Sequence, residues 1–404
     1  MGASARRCRI RWASPIRKRT SWDTSAPPDS ATSACTTSSR DRSAASPAPR
    51  CDVFHTVICD LLGIRYPILQ GALQGGGGVE LVAAVSEAGG LGVLPTFGGT
   101  DQKLRADIAG VRARTNRPFG VNIMPMGRGI TERCAATCIE LGIPVVTTGR
   151  ADPGEAVVRR LKAAGIKVVS VIPTVEHARR MEAEGVDAVV ASGAEAGGHV
   201  GTVSTLPLVP QVVDAVKIPV LAAGGIGDAR GFLAAFALGA VGIQMGTRFM
   251  ATTESDLNDW GRDRLLAMRE TDTIVTRAMT GATVRCIRTP EIAAYEDAVA
   301  RGADTAELKD LAARVRTSRY GEDRSDRRQS AAGQVAGMIT EVVAVRELLE
   351  AMLADATRLA ERLPSVAKGR NDSTASMRRT DTSSSSGVAA APKVYPSLEP
   401  QKSQ

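Results

Sequence analysis

The chain of 404 residues has few aromatic side chains, only three histidines and no long apolar run. Aromatic residues make up 3% of the composition, and no apolar run approaches the ~20 residues needed to span a bilayer. The seven cysteines are odd in number and form no CxxC pair, so the sequence predicts neither a zinc site nor a disulfide framework. We therefore expect reduced thiols, no bound metal and a cytoplasmic location.

The sequence also lacks a positively charged body, although its formal net charge is +8. Residues 1–50 carry a net charge of +7 and residues 365–404 carry +3, which leaves −2 for residues 51–364. A nearly neutral body has no basic surface for nucleic acid. We therefore expect neither nucleic acid nor a membrane as a partner.

Both ends of the chain lack the apolar periodicity of folded segments. Residues 1–50 are rich in Ser, Thr, Ala, Arg and Pro, and residues 365–404 include a run of four serines. Such segments cannot bury enough apolar surface to offset the entropy of ordering, so both are predicted to be disordered. The composition of residues 1–50 also resembles an organelle transit peptide, and a start codon assigned too early is a further alternative.

Eight short apolar segments alternate with longer amphipathic segments between the two ends. The strand candidates are residues 67–72, 91–97, 119–124, 144–149, 166–173, 188–193, 218–225 and 242–249. They are apolar on both faces, as in a parallel sheet covered by helices. Several intervening helical patterns end in glycine, at Gly89, Gly165, Gly185 and Gly239. This succession predicts an α/β protein with a TIM (β/α)8 barrel over residues 60–250.

No strand candidate is followed by a GxGxxG motif with a distal acidic residue, which disfavours a Rossmann domain.

Residues 251–332 interrupt the alternation because they are polar and rich in arginine, and they are predicted to form an insertion or lid. Residues 333–364 regain helical apolar spacing, which predicts a C-terminal helix that packs on the barrel.

Glycine-rich turns follow the last two strand candidates, where barrels of this type often bind phosphate. Residues 224–227 (GGIG) follow the seventh candidate, and Asp228 is predicted to be the N-cap of the next helix. Residues 244–247 (QMGT) close the eighth. Glycines leave backbone N–H groups accessible to an anion, so the pair of turns predicts a phosphate site. The alternative is that these glycines only close tight turns.

Two polar residues stand out near the predicted active end of the barrel. His199 lies in a glycine-flanked, flexible loop after the sixth strand candidate, which favours a functional role. His177 is predicted to be solvent-exposed on a helix, and His55 has no supporting context. Asn122 interrupts an apolar strand and needs a partner, either a cofactor ring or a backbone group.

The segments YPILQGAL, AGGLGVL, PFGVNIM, VVTTG, EAGGHVG, IPVLAAGGI and QMGTRF resemble, in order and spacing, the nitronate monooxygenase (2-nitropropane dioxygenase) family. This family includes the FMN-dependent enoyl-ACP reductase II. The resemblance covers residues 60–255, with a weaker match at 330–338, and implies a TIM barrel that binds FMN without a covalent bond. It implies His199 as the catalytic residue facing flavin and substrate. The FMN contacts that it implies are Gln70, Gly71, Ala72, Asn122, Gly197, Gly198, Gly224, Gly225, Gln244, Gly246 and Thr247.

Two positions depart from the pattern of typical nitronate monooxygenases. Ser192 stands where that pattern has Gln, and the strand 4 motif VVTTGRADP lacks the base His. The leading hypothesis, favoured by the breadth of the family, is an FMN-dependent oxidation of alkyl nitronates by O2. A nitronate is already deprotonated and does not need that base. The alternative is an NAD(P)H-dependent enoyl-ACP reductase acting on an enoyl thioester. A barrel that only binds a phosphorylated ligand is the non-enzymatic alternative, and a homodimer is one option for the oligomeric state.

Overall fold

The computed structural model describes residues 53–73, 75–96, 100–124, 128–149, 152–318 and 331–367. The predicted tails at 1–50 and 365–404 lie outside these residues, except that 365–367 end the last helix. No helix in the described ranges combines the length and apolar character required to cross a membrane.

Eleven strands and thirteen α-helices occur in the described residues. The strands are β1 (Ile68–Gln70), β2 (Val93–Pro95), β3 (Gly120–Ile123), β4 (Val145–Thr148), β5 (Lys167–Ile172), β6 (Ala188–Ser192), β7 (Gly198–His199), β8 (Val220–Ala223), β9 (Gly242–Met245), β10 (Thr273–Thr276) and β11 (Val284–Ile287). The helices are α1 (Val57–Leu62), α2 (Val79–Glu87), α3 (Asp101–Arg112), α4 (Arg128–Glu140), α5 (Glu155–Ala163), α6 (Val175–Ala183), α7 (Thr205–Ala215), α8 (Ala229–Ala237), α9 (Thr247–Met250), α10 (Asp259–Leu266), α11 (Pro290–Ala300), α12 (Thr305–Ser318) and α13 (Val345–Ala367). A 3-10 helix at Gln334–Met338 precedes α13.

Eight parallel strands form the barrel in the order β1-β9-β8-β6-β5-β4-β3-β2. The ring closes between β1 and β2 through a parallel bridge from Leu69 to Leu91. Helices follow the strands and cover the outside, so each strand is buried on both faces. The prediction of an α/β TIM barrel is confirmed.

Strand residues alternate between two apolar layers. Ile68 packs in the layer between the sheet and the helices, while the next residue, Leu69, points into the barrel. Ile58 and Leu62 of α1 belong to the interior cluster with Leu69, so this helix lies against the barrel interior. Helix α1 is not predicted from the sequence, and it begins before the predicted barrel boundary at residue 60.

Residues 251–332 contain α10, the hairpin of β10 and β11, and α11 and α12. The hairpin is extended by β7, which comes from the loop after β6, into a three-stranded antiparallel sheet. After the 3-10 helix, α13 lies against α2 and α8 on the outside of the barrel. A lid function for residues 251–332 stays a prediction.

The eighth strand is shorter than its predicted range of 242–249. Strand β9 ends at Met245, and Gly246 is the N-cap of the short helix α9, in which Phe249 is completely buried. Phe249 and Met250 of this helix are buried and apolar, as the residues of a strand would be. The predicted helix ends at Gly89, Gly165, Gly185 and Gly239 are confirmed, because all four residues have positive φ.

Candidate active site

A cavity of about 590 Å³ opens at the carboxyl ends of the barrel strands. It is lined by segments that follow β1, β3, β4, β6, β8 and β9, together with residues from the hairpin and the segment before α13. All of the predicted site residues except Gln70 line it: Gly71, Ala72, Asn122, Gly197, Gly198, His199, Gly224, Gly225, Gln244, Gly246 and Thr247. The structure therefore brings residues spread over more than 170 positions of sequence to one site.

The side chain of Gln70 is used elsewhere, at the seam where the barrel closes. Its Oε1 accepts the backbone N–H of Val93 at 3.0 Å, and its Nε2 donates to the carbonyl of Gly71 and, at 3.4 Å, to that of Val93. The amide thus behaves like an additional peptide group between β1 and β2. Gln70 is completely buried, and it contributes to barrel closure rather than to the cavity wall.

Two neighbouring turns present backbone N–H groups to the cavity. Within the described part of the chain, the N–H groups of Gly225, Ile226 and Gly246 are not hydrogen-bonded to any other protein group. Asp228 caps α8 as predicted, because its carboxylate accepts the N–H groups of Arg230 and Gly231. Two of the N-terminal donors of α8 are therefore used within the protein, and the donors of the turns are the ones that line the cavity.

The segment before α13 completes the wall beside these turns. The backbone N–H of Gly333 donates to Oγ1 of Thr247 at 2.9 Å, and Ala331, Gly333 and Val335 line the cavity. No predicted site residue lies in this segment, although its weak family resemblance at 330–338 was a signal. Its role becomes visible only when the fold places it next to β9.

Gly197 is required by this packing. A Cβ atom at Gly197 would lie 2.8 Å from backbone atoms of Ala332 and Gly333. Real Cβ atoms essentially never approach backbone so closely, so a side chain at this position would displace the segment. The glycine thus allows two protein segments to meet beside the cavity.

Asn122 is buried, as predicted, and its partner is a side chain. Its Nδ2 donates to Oγ1 of Thr147 on the adjacent strand at 2.9 Å, and both residues line the cavity. Neither predicted partner, a cofactor ring or a backbone group, is needed for this bond. Asn122 keeps the capacity for further hydrogen bonds through Oδ1 and its second amide hydrogen.

His199 lies on β7 rather than in the flexible loop that was predicted. It stands opposite Val284 of β11 in the antiparallel pair, and the following Val200 donates its N–H to the carbonyl of Thr283 at 3.1 Å. The hairpin of residues 251–332 therefore fixes the backbone of the candidate catalytic residue. Near the ring, Oγ1 of Thr280 lies 3.4 Å from Nε2.

Glu195 is the other titratable side chain among the described residues that line the cavity. Its carboxylate accepts the N–H of Thr205 at 2.9 and 3.0 Å and the hydroxyl of the same residue at 3.0 Å. This arrangement ties the loop after β6 to the start of α7. The carboxylate oxygens are therefore engaged in structural hydrogen bonds.

His177 is buried, which contradicts the prediction of a solvent-exposed histidine. Its Nε2 has no hydrogen-bond partner among the described residues, and it does not line the cavity. Burial, followed by the charge of Arg180, lowers the pKa of His177 below its usual value, against a smaller opposite effect of Asp152. The ring is therefore favoured in its neutral form, and its place in the fold is structural.

No group of three or more His, Cys, Asp or Glu side chains in the described ranges is arranged to hold a metal ion. The structure describes four cysteines, none of which forms a disulfide bond: Cys59, Cys134, Cys138 and Cys286. Burial raises the pKa of Cys138 to about 12, so this thiol stays protonated and unreactive at neutral pH.

Comparison with known proteins places this fold and cavity in a family. The profile described as nitronate monooxygenase matches residues 55–355. A probable nitronate monooxygenase of Staphylococcus aureus is 37% identical, and the match covers 59% of this chain and 81% of the relative.

Two solved structures are also similar to this chain. FabK from Thermotoga maritima is 38% identical with a TM-score of 0.71, covering 77% of this chain and 99% of its own. Nitroalkane oxidase from Streptomyces ansochromogenes is 29% identical with a TM-score of 0.63, covering 76% and 99%. The family profile spans most of the chain and includes every residue of the cavity. The chain therefore belongs to the nitronate monooxygenase family of flavin-dependent oxidoreductases.

Proposed function

We propose that this protein binds FMN and oxidises alkyl nitronates with O2. The observation that carries the proposal is the cavity, in which two turns with available N–H groups lie beside the Asn122–Thr147 pair and His199. A volume of about 590 Å³ is in the range of cofactor sites.

The residues present fit FMN in three ways. The N–H groups of Gly225, Ile226 and Gly246 would hold the phosphate, since backbone donors at glycine turns recognise anions. Asn122 offers both an acceptor and a donor, which suits the edge of a flat heterocycle. A single anion site without a dinucleotide motif favours FMN over FAD.

The bound flavin would supply the electron acceptor that the protein side chains lack. His199 would donate a hydrogen bond to the oxygens of the substrate, where negative charge is located. Thr247, whose Oγ1 already accepts the N–H of Gly333, keeps its own hydroxyl proton to donate to the cofactor.

The choice of a nitronate over a neutral nitroalkane follows from the titratable groups of the site. Oxidation of a neutral nitroalkane begins with removal of a proton from carbon and requires a general base. The carboxylate of Glu195 is engaged by Thr205, the strand 4 motif has no His, and His199 is assigned in this proposal as the hydrogen-bond donor to the substrate oxygens. A nitronate has already lost that proton, so the site as built suits it.

The NAD(P)H-dependent reduction of an enoyl thioester is the second candidate. Two observations favour it: Ser192 lines the cavity where typical nitronate monooxygenases have Gln, and the loop after β4 lacks the base His. In this reaction His199 would polarise or protonate the acyl end of the substrate. The cytoplasmic location and a homodimeric state stay predictions.

The identity of the cofactor tests the proposed function first. The purified protein should be yellow and should release FMN on denaturation, identified by chromatography against FMN and FAD standards. Recovery of FAD, or of no flavin even after incubation with FMN, would contradict the proposal.

A further inference from the structure

Thr280 lies outside the family motifs and close to the candidate catalytic residue His199. It lies in the turn between β10 and β11, and its Oγ1 is 3.4 Å from Nε2 of His199. Both side chains line the cavity. The two residues are 81 positions apart in the sequence, and only the pairing of β7 with β11 brings them together.

The strand pairing fixes the backbone position of His199 but not the orientation of its imidazole ring. Val284 stands opposite His199, and the N–H of Val200 is bonded to Thr283, so the backbone is held on both sides of the histidine. The orientation of the ring is set separately by two side-chain torsions, and His199 is only partly buried. The orientation of the ring therefore depends on its side-chain contacts.

The hydroxyl of Thr280 is itself held in place. It accepts the backbone N–H of Ala282 at 3.3 Å, which leaves one lone pair and the hydroxyl proton for other partners. The carbonyl of Ala282 lies 3.5 Å away, slightly farther than Nε2 of His199. An anchored hydroxyl next to a ring nitrogen is a means of fixing the orientation of a histidine.

We propose that Thr280 is a positioning residue that holds the imidazole of His199 at the cavity wall through a hydrogen bond to Nε2. The inference deepens the proposed function and rests on it, since it assumes that the ring of His199 acts on the substrate. Thr280 acts through His199 and needs no contact with the reacting atoms.

The kinetic test compares three variants. Thr280→Val removes the hydroxyl and keeps the shape of the side chain, while Thr280→Ser keeps the hydroxyl. Thr283→Val is the matched control, because Thr283 lies on the same hairpin and bonds to Val200 only through its backbone. We expect Thr280→Val to lower kcat about threefold to tenfold, the factor that one neutral hydrogen bond contributes. KM, flavin content and thermal stability should change little, and the Ser variant should recover most of the loss.

A spectroscopic test needs no turnover and therefore separates this inference from the proposed function. The chain has only three histidines, so the imidazole nitrogen signals of 15N-histidine-labelled, flavin-loaded protein can be assigned by comparison with His199→Ala. Thr280→Val should shift the Nε2 signal of His199 more than its Nδ1 signal, and Thr280→Ser should restore it. An unchanged Nε2 signal in Thr280→Val, or an equal shift in Thr283→Val, would overturn the assignment even if the enzyme oxidises nitronates.

Discussion

Gly333 donates its backbone N–H to Oγ1 of Thr247 over 2.9 Å, which joins the segment before α13 to the turn after β9. Thr247 is buried, and 86 positions of sequence separate the two residues. The bond occupies one lone pair of the hydroxyl and leaves its proton for another acceptor. The same hydrogen bond therefore holds the cavity wall in place and orients a residue of the candidate phosphate site.

This relationship predicts that Thr247→Val weakens FMN binding. The valine leaves the N–H of Gly333 without its acceptor and removes a donor from the phosphate site. Each effect costs about 1 kcal/mol, so the Kd for FMN should rise about tenfold or more. Titration of the flavin-free protein with FMN, followed by flavin fluorescence, measures the change.

Thr252→Val is the control for that measurement. Thr252 is also completely buried, but its hydroxyl donates to the carbonyl of Phe249 and it does not line the cavity. The control should keep the wild-type affinity for FMN. Equal losses in the two variants would show that Thr247 acts through general stability instead of through the cofactor site.

Gly225→Ala should lose FMN affinity, and Gly165→Ala should not. The two glycines have similar positive φ angles, 74° and 78°, and an added Cβ would meet no close contact at either site. Each substitution should therefore destabilise the fold by a comparable 1–2 kcal/mol or so, because L-residues disfavour this conformation. An alanine at Gly225 should relax its unfavourable positive φ by a shift of the backbone, and this shift should move the N–H groups that are proposed to bind the phosphate. Gly165 is not part of that turn.

Thermal unfolding and FMN titration of both glycine variants give the answer. The predicted outcome is a similar decrease in Tm and an affinity loss of about tenfold confined to Gly225→Ala. If Gly225→Ala binds FMN like the wild type, the phosphate lies elsewhere.

His177→Ala should destabilise the protein without reducing turnover. The ring is buried and does not line the cavity, so its loss leaves a void that costs about 1–3 kcal/mol at neutral pH. The pKa of His177 is lowered by burial, so below about pH 6.5 the unfolded chain takes up a proton that the folded chain resists. The free energy of unfolding of the wild type should therefore exceed that of His177→Ala by less and less as the pH falls below about 6.5.

Measurement of Tm for both proteins between pH 8 and pH 5 or so tests the pH dependence of His177. A Tm difference that stays constant with pH, or that grows on acidification, would contradict a neutral buried ring. Reduced turnover per bound flavin would contradict its purely structural role.

His199→Ala should retain FMN and lose turnover by a factor of about 10² to 10³, the contribution of one hydrogen-bond donor to developing negative charge. Retention is expected because the phosphate site lies on the turns after β8 and β9. Full turnover with normal flavin content would show that the histidine is structural. Loss of the flavin as well would place its role in cofactor retention.

The barrel could be predicted from sequence because its signals are local. β-branched, apolar segments alternate with amphipathic segments, and glycines such as Gly165 end helices where a left-handed residue is needed. For the eighth strand, only the predicted end was wrong. The apolar residues after Gly246 are buried in α9, and periodicity alone does not distinguish a short buried helix from a strand.

The site could be predicted only in part, because some of its contacts are long-range. The pairing of His199 with Val284 and the bond from Gly333 to Thr247 join segments more than 80 positions apart, which no local pattern encodes. Gln70 is the opposite case. The family resemblance implies that it contacts FMN, whereas its side-chain amide is hydrogen-bonded to Val93 at the barrel seam, which no local pattern encodes.

The central claim is tested most directly by reduction of the bound flavin without oxygen. Propyl nitronate, NADH and NADPH are mixed separately with the anaerobic, flavin-loaded protein, and the visible flavin absorbance is followed. The account predicts rapid bleaching by propyl nitronate and little or none by either nicotinamide. Rapid bleaching by NADH or NADPH, with no response to propyl nitronate, would contradict it and favour the enoyl reductase.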